Sequence, residues 1–115
     1  SGNSSEIDTR SDVYALGVIG YELLSGALPY DLTNRMIPEA ARIIRDEYPT
    51  RLSTHNRLLG GEIETIIQKT MAKDKTHRYS SASALADDIR RYLRYQPILA
   101  RPSSIFNRCH KFVLR

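Results

Sequence analysis

The chain has 115 residues, of which 41% are hydrophobic and 26% charged, so it is long enough for one small domain and too apolar to be disordered. Its single cysteine, Cys109, excludes a disulfide framework within the chain and fits a reducing, cytoplasmic compartment. The net charge of +4 comes entirely from residues 101–115, which hold four bases and no acid. Residues 1–100 carry 13 bases and 13 acids and are neutral. We therefore expect no nucleic-acid-binding surface on residues 1–100.

The first predicted helix is the most apolar part of the chain. Residues 1–10 are polar and rich in Ser and Asn, which predicts a flexible lead-in. Ser11 is a suitable N-cap, with Asp12 in the first turn, where the helix dipole favours a carboxylate. The helix over residues 12–24 has apolar residues on all sides, and this pattern indicates burial on all sides.

Two glycines lie inside this helix, where they weaken it. Gly17 and Gly20 are poor helix formers, so they indicate that another backbone segment approaches closely at these points. Gly26 is a natural C-terminal stop, and Pro29 lies just beyond it. We therefore predict that this helix ends near Gly26 and is the central packing element of the domain.

Three further helices follow, and no segment shows the alternating pattern of a strand. The second helix starts at Pro38, and the third covers residues 62–72. The fourth is capped by Ser80 or Ser81 and runs to Leu93. Residues 49–61 between them have no periodicity and are predicted to be a loop with at most one short turn. The fold class is therefore all-α.

Two of these helices show clear apolar stripes. The third carries its stripe on Ile63, Ile66, Ile67, Thr70 and Met71, and the fourth on Leu85, Ile89, Tyr92 and Leu93. The acids of the fourth helix, Asp87 and Asp88, precede bases at Arg90, Arg91 and Arg94. This spacing predicts weakly stabilising acid–base pairs along the helix surface.

Several linked motifs closely resemble the large lobe of protein kinases. The segments that resemble the long central helix of that lobe and the turn after it are residues 7–18 (IDTRSDVYALGV), 21–26 (YELLSG) and 28–30 (LPY). The segments that resemble its last two helices are residues 66–74 (IIQKTMAKD), Arg78-Tyr79 and 82–93. Residues 95–102 (YQPILARP) are similar to the segment that often closes the kinase domain in large bacterial serine/threonine kinases.

The resemblance covers nearly all of residues 7–102 and implies the C-terminal, helical part of the kinase large lobe. This resemblance implies four main helices in residues 11–100, and the predicted lead-in at residues 1–10 precedes them. Residues 101–115 form a basic tail, in which residues 103–114 are predicted to form one more short helix.

Three residues match family positions that organise the lobe. Asp12 matches the aspartate that braces the catalytic loop, and Gly17 matches a glycine of the central helix. Arg78 matches the arginine that pairs with the glutamate of the Ala-Pro-Glu motif. Because that glutamate lies outside this chain, we expect Arg78 to be a solvated arginine after a helix.

The motifs that bind ATP and transfer phosphate are absent from these 115 residues. The sequence has no Gly-rich phosphate loop, no Val-Ala-Ile-Lys lysine, no His-Arg-Asp loop and no Asp-Phe-Gly. The three histidines, His55, His77 and His110, have no metal-site spacing. We therefore expect no catalytic, cofactor or metal residue in this chain, while the resemblance implies a parent that uses Mg and ATP to phosphorylate Ser or Thr.

The expected partner is the N-terminal remainder of the parent kinase, with self-association of the chain when that partner is missing. A helical interaction or regulatory module derived from a kinase is the alternative function. A nucleic-acid-binding domain is disfavoured because Asp87 and Asp88 lie on the same helix as its three arginines. The basic tail allows contact with a membrane, as at the cytoplasmic side of a membrane-anchored parent, and packing of the tail against the lobe is the simpler expectation.

Overall fold

The computed structural model describes residues 2–100, and their side chains from residue 9 onward. Within these residues the secondary structure is helical without a strand, which confirms the all-α prediction. The helices are α1 (Gly2–Ser25), α2 (Ile37–Asp46), α3 (Leu52–His55), α4 (Glu62–Thr70) and α5 (Ala82–Leu93), with 3₁₀ turns at Arg57–Leu59 and Lys75–His77. The tail helix predicted at 103–114 lies outside the described residues.

Helix α1 begins earlier than the sequence indicates. It starts at Gly2, so residues 2–10 continue the helix and Ser11 lies inside it instead of capping it. No proline interrupts this segment, and extending a packed helix forms one further hydrogen bond for each residue fixed. The end agrees with the prediction: Gly26 adopts φ 74°, and its N–H donates to the Glu22 carbonyl at 2.8 Å.

Helices α4 and α5 pack against α1 and create two apolar clusters. Residues of the first cluster are Val13, Ile66, Tyr79, Leu85, Ile98 and Ala100. Residues of the second are Tyr21, Tyr30, Ile43, Leu52, Ile67 and Met71. Because α1 contributes Val13 to one cluster and Tyr21 to the other, it is the central helix of the described part of the chain.

The residues predicted to begin α2 and α5 lie at the starts of those helices. Pro38 lies in the first turn of α2, with Glu39 beside it. The Ser81 hydroxyl caps α5 by accepting the Ala84 N–H at 3.1 Å. One residue of the predicted α5 stripe differs: Leu93, the last residue of the helix, is exposed.

Candidate functional site

Arg78 is held in a defined position by backbone carbonyl groups. Its Nε donates to the Ala72 carbonyl at 2.6 Å, and its Nη atoms donate to the carbonyls of Arg10 and Lys73 at 3.3 and 3.5 Å. The guanidinium carbon lies 4.7 Å from the centre of the Tyr14 ring, which is a cation–π contact. Arg78 is therefore partly buried against α1 and the segment after α4, and not fully solvated as expected.

The positive charge of Arg78 is not neutralised by a bonded acid. None of the ion pairs found in residues 9–100 involves it, and Asp74 accepts hydrogen bonds from Thr76 instead. Burial lowers the pKa of Arg78, more than the nearby Tyr14 and Asp74 raise it. A partly buried guanidinium bonded only to neutral carbonyls is suited to receive a carboxylate from another segment.

A second cation and an apolar cavity lie beside this arginine. Lys73 donates to the Tyr30 hydroxyl and to the Ile44 carbonyl, and its Nζ lies 4.6 Å from the centre of the Tyr30 ring. Burial lowers the pKa of Lys73, and repulsion by Arg78 acts in the same direction. The rings of Tyr14 and Tyr30 also line a cavity of about 160 Å³ between α1 and α2. The arrangement suits a short segment with small apolar residues and an acid.

The other two family positions lie on α1. The carboxylate of Asp12 is exposed and forms no ion pair with a described residue. It does not lie in the first helical turn as predicted, because α1 begins at Gly2. Gly17 is buried, and a Cβ atom there would lie 2.7 Å from Met71 Cγ and 2.8 Å from Thr70 Cγ2. A close approach therefore exists at Gly17, but it is made by side chains and not by the backbone that was expected.

One face of α1 is open, although burial on all sides was expected. Leu16, Ile19 and Leu23 share this face and are 42%, 54% and 81% exposed. Helices α4 and α5 cover only the opposite side, where Val13 and Gly17 are buried. We call Leu16, Ile19 and Leu23 the open face of α1. Its composition is that of a helix covered on both sides.

Asp88 is a buried carboxylate whose role the sequence did not reveal. It is fully buried and accepts hydrogen bonds from the Tyr79 hydroxyl at 2.6 Å and from Arg91 Nη1 at 2.9 Å. It also accepts the backbone N–H groups of Leu99 and Ala100 at 2.7 and 2.9 Å. Burial alone would raise the pKa of Asp88, but these hydrogen bonds hold it below its usual value. The only sequence signal is its position on the Leu85 side of the helix.

Glu64 is a second buried carboxylate, and it fixes the start of α3. It accepts the Ser53 N–H at 2.8 Å and pairs with Arg51 at 3.0 Å. Burial opposes ionisation, but the bonds from Ser53 and Arg51 lower the pKa of Glu64. Both buried acids therefore have structural partners, and neither is bonded to Arg78.

The described residues contain neither a metal-binding group nor a membrane-spanning helix. No group of three His, Cys, Asp or Glu residues could hold a metal ion in the part of the chain that the structure describes. In the same part, no helix combines the length and the apolar character needed to cross a bilayer.

The sequence is similar to bacterial serine/threonine-protein kinases, although no protein-family model matches it. It is 36% identical to PrkC of Bacillus subtilis over 81 residues, or 70% of this chain. It is 30% identical to PknB of Mycobacterium tuberculosis over 91 residues, or 79% of this chain. It is 32% identical to a probable kinase of Streptomyces coelicolor over 93 residues, or 81% of this chain. The matched segment is only 12% of PrkC and 14% of each of the other two.

Proposed function

Because this chain belongs to the serine/threonine protein kinases, we propose that it serves as the C-terminal, helical part of the large lobe in a kinase that transfers the γ-phosphoryl group of Mg·ATP to protein Ser or Thr. The chain alone supplies no nucleotide site and no catalytic residue. Its partner is the N-terminal remainder of that kinase, in the cytoplasm.

The observation that carries this proposal is the Arg78 site. Three carbonyls and the Tyr14 ring fix a guanidinium that has no bonded acid among the described residues. The kinase resemblance assigns this arginine to the glutamate of Ala-Pro-Glu, and the apolar cavity beside Tyr14 is suited to the small residues before that glutamate. The role is to anchor the end of the activation segment.

The open face of α1 supports the same proposal. In a whole kinase lobe, the preceding segments would cover Leu16, Ile19 and Leu23, and the exposed Asp12 would brace the catalytic loop. Burying one large apolar side chain contributes roughly 1.5–3 kcal/mol. Without those segments the same face favours self-association of the chain. Sedimentation at low and high concentration tests this point, with Ile19→Ser as the variant that should remain monomeric.

Titration calorimetry with Mg·ATP tests whether the isolated chain binds nucleotide. We expect no heat of binding, because the phosphate loop, the lysine and the metal-binding acids are not in this sequence. Stoichiometric binding in the micromolar range would contradict the proposal.

A pair of synthetic peptides tests the Arg78 site directly. One peptide contains Ala-Pro-Glu and the other Ala-Pro-Gln, and both are titrated into the full chain. A charge-assisted hydrogen bond is worth about 1.5–3 kcal/mol, so we expect the glutamate peptide to bind at least about ten-fold more tightly. Arg78→Gln should remove this preference, whereas Arg57→Gln, at an exposed arginine, should retain it. Equal binding of the two peptides to the unmodified chain would rule out the assignment.

A kinase-derived interaction or regulatory module is the second candidate. The open face of α1 favours it equally, because a partner protein could cover the same residues. The two candidates differ in the full-length gene product, which binds ATP only if it is a kinase.

A further inference from the structure

The C-terminal end of α5 presents apolar side chains that nothing in residues 9–100 covers. Leu93 and Leu99 are each 66% exposed, and Tyr95 is 98% exposed. The exposed base Arg94 lies between Leu93 and Tyr95 in the chain. We call Leu93, Arg94, Tyr95 and Leu99 the α5-end surface.

The backbone holds Tyr95 in a conformation that normally requires glycine. Its φ is 58°, in the left-handed region, directly after the last turn of α5. The N–H of Gln96 donates to the Arg91 carbonyl at 2.8 Å and closes the helix end. A side chain at this position is strained, and Tyr95 makes almost no contact that would offset the strain. The hydrogen bond that closes the helix end therefore holds the Tyr95 ring in solvent, where it is available to a contact outside the chain.

Leu99 is also held outward by a fixed segment. Ile98 and Ala100 are buried in the cluster around Val13, so Leu99 between them faces solvent. Its N–H is bonded to the buried Asp88 carboxylate at 2.7 Å. The exposure of Leu99 therefore follows from an anchored backbone and not from a loose chain end.

The described charges at the end of α5 are mainly positive. Between Asp88 and residue 100 the sequence contains three bases, Arg90, Arg91 and Arg94, and no acid. Arg90 and Arg91 are paired with Asp87 and Asp88, but Arg94 has no ion pair with any residue of the described part. A second copy of this surface would be repelled by it, whereas an anionic surface would be attracted.

We propose that the α5-end surface lies against the face of an anionic lipid bilayer. Tyr and Leu side chains that protrude from a fixed backbone suit the boundary between headgroups and acyl chains, and Arg suits the anionic headgroups. The inference does not depend on the kinase proposal, because lipid binding requires neither ATP nor the activation segment.

Co-sedimentation of the full chain with vesicles tests the proposal. We expect binding to vesicles of phosphatidylcholine with phosphatidylserine, weakened by added salt, and little binding to phosphatidylcholine alone. Arg94→Gln should reduce binding about five-fold, and Leu93→Ser and Leu99→Ser should also reduce it. Tyr95→Gly should reduce binding while it raises the melting temperature, a combination that a purely structural role of Tyr95 would not produce.

Matched substitutions on another surface provide the control. Leu58 is 88% exposed and follows the exposed Arg57, and Leu58→Ser and Arg57→Gln should bind vesicles as the unmodified chain does. If the variants of the α5-end surface bind like these controls, and only Arg108→Gln or Lys111→Gln in the tail reduces binding, the proposal is wrong. It is also wrong if those variants change sedimentation without vesicles, because the surface would then be a protein interface.

Discussion

Replacing Gly17 by alanine tests a close contact between α1 and the C-terminal end of α4. The new Cβ atom would lie 2.7 Å from Met71 Cγ and 2.8 Å from Thr70 Cγ2. Thr70 is fully buried, its hydroxyl donates to the Ile66 carbonyl at 2.7 Å, and its branched side chain has little rotamer freedom. The two helices must therefore separate.

The expected change in folding stability is the difference between a gain in helix propensity and a loss from overpacking. Alanine favours a helix over glycine by about 1 kcal/mol, and overpacking a buried contact costs about 1–3 kcal/mol. Because Thr70 cannot move aside, we expect Gly17→Ala to lower the free energy of unfolding by about 1–2 kcal/mol, or several degrees in melting temperature. Thermal and urea unfolding followed by circular dichroism measure it.

Gly20→Ala is the matched control on the same helix. Its Cβ would meet only Ile67 Cδ1, at 3.2 Å, which is the end of a flexible side chain. We expect a change between zero and a gain of about 1 kcal/mol. Thr70→Ser removes the obstructing methyl group and should recover part of the loss in the Gly17→Ala background. If Gly17→Ala and Gly20→Ala have the same stability, the proposed clash does not exist.

Three further predictions concern α5 and the chain after it. Asp88→Asn should lower the free energy of unfolding by about 3 kcal/mol, because four hydrogen-bond donors lose a buried carboxylate. Asp87→Asn, on the exposed side of α5, should change the free energy of unfolding by less than about 0.5 kcal/mol. Equal urea midpoints for the two variants would contradict this prediction. Because the pKa of Asp88 is lowered in the folded chain, its contribution is present above the unfolded pKa of roughly 3.9 and is lost as the pH falls through the folded value. Urea unfolding between pH 7 and pH 3 should therefore show a steeper acid loss in the unmodified chain than in Asp88→Asn. Tyr95→Gly should raise the free energy of unfolding by about 1 kcal/mol by removing left-handed strain, and Tyr95→Ala, which keeps a Cβ atom, should not.

The sequence by itself determined the helical class and most helix boundaries after α1. Pro38 and Ser81 mark starts, and Gly26 marks an end, because each acts on backbone groups within one turn of itself. The close approach at Gly17 was also predictable, since a glycine inside an apolar helix needs a packing reason. The kinase resemblance rested on the same linked motifs and agrees with the relatives.

Only the tertiary structure decided the environments of the charged residues. Arg78 is enclosed partly through the carbonyl of Arg10, 68 residues away in the chain, and no local pattern specifies such a contact. The sequence suggested a surface role for Asp88, yet it is buried because the segment at Leu99 and Ala100 folds back onto α5. The open face of α1 has the same cause: periodicity shows that a side chain is apolar, but which neighbouring helix covers it depends on how distant segments pack.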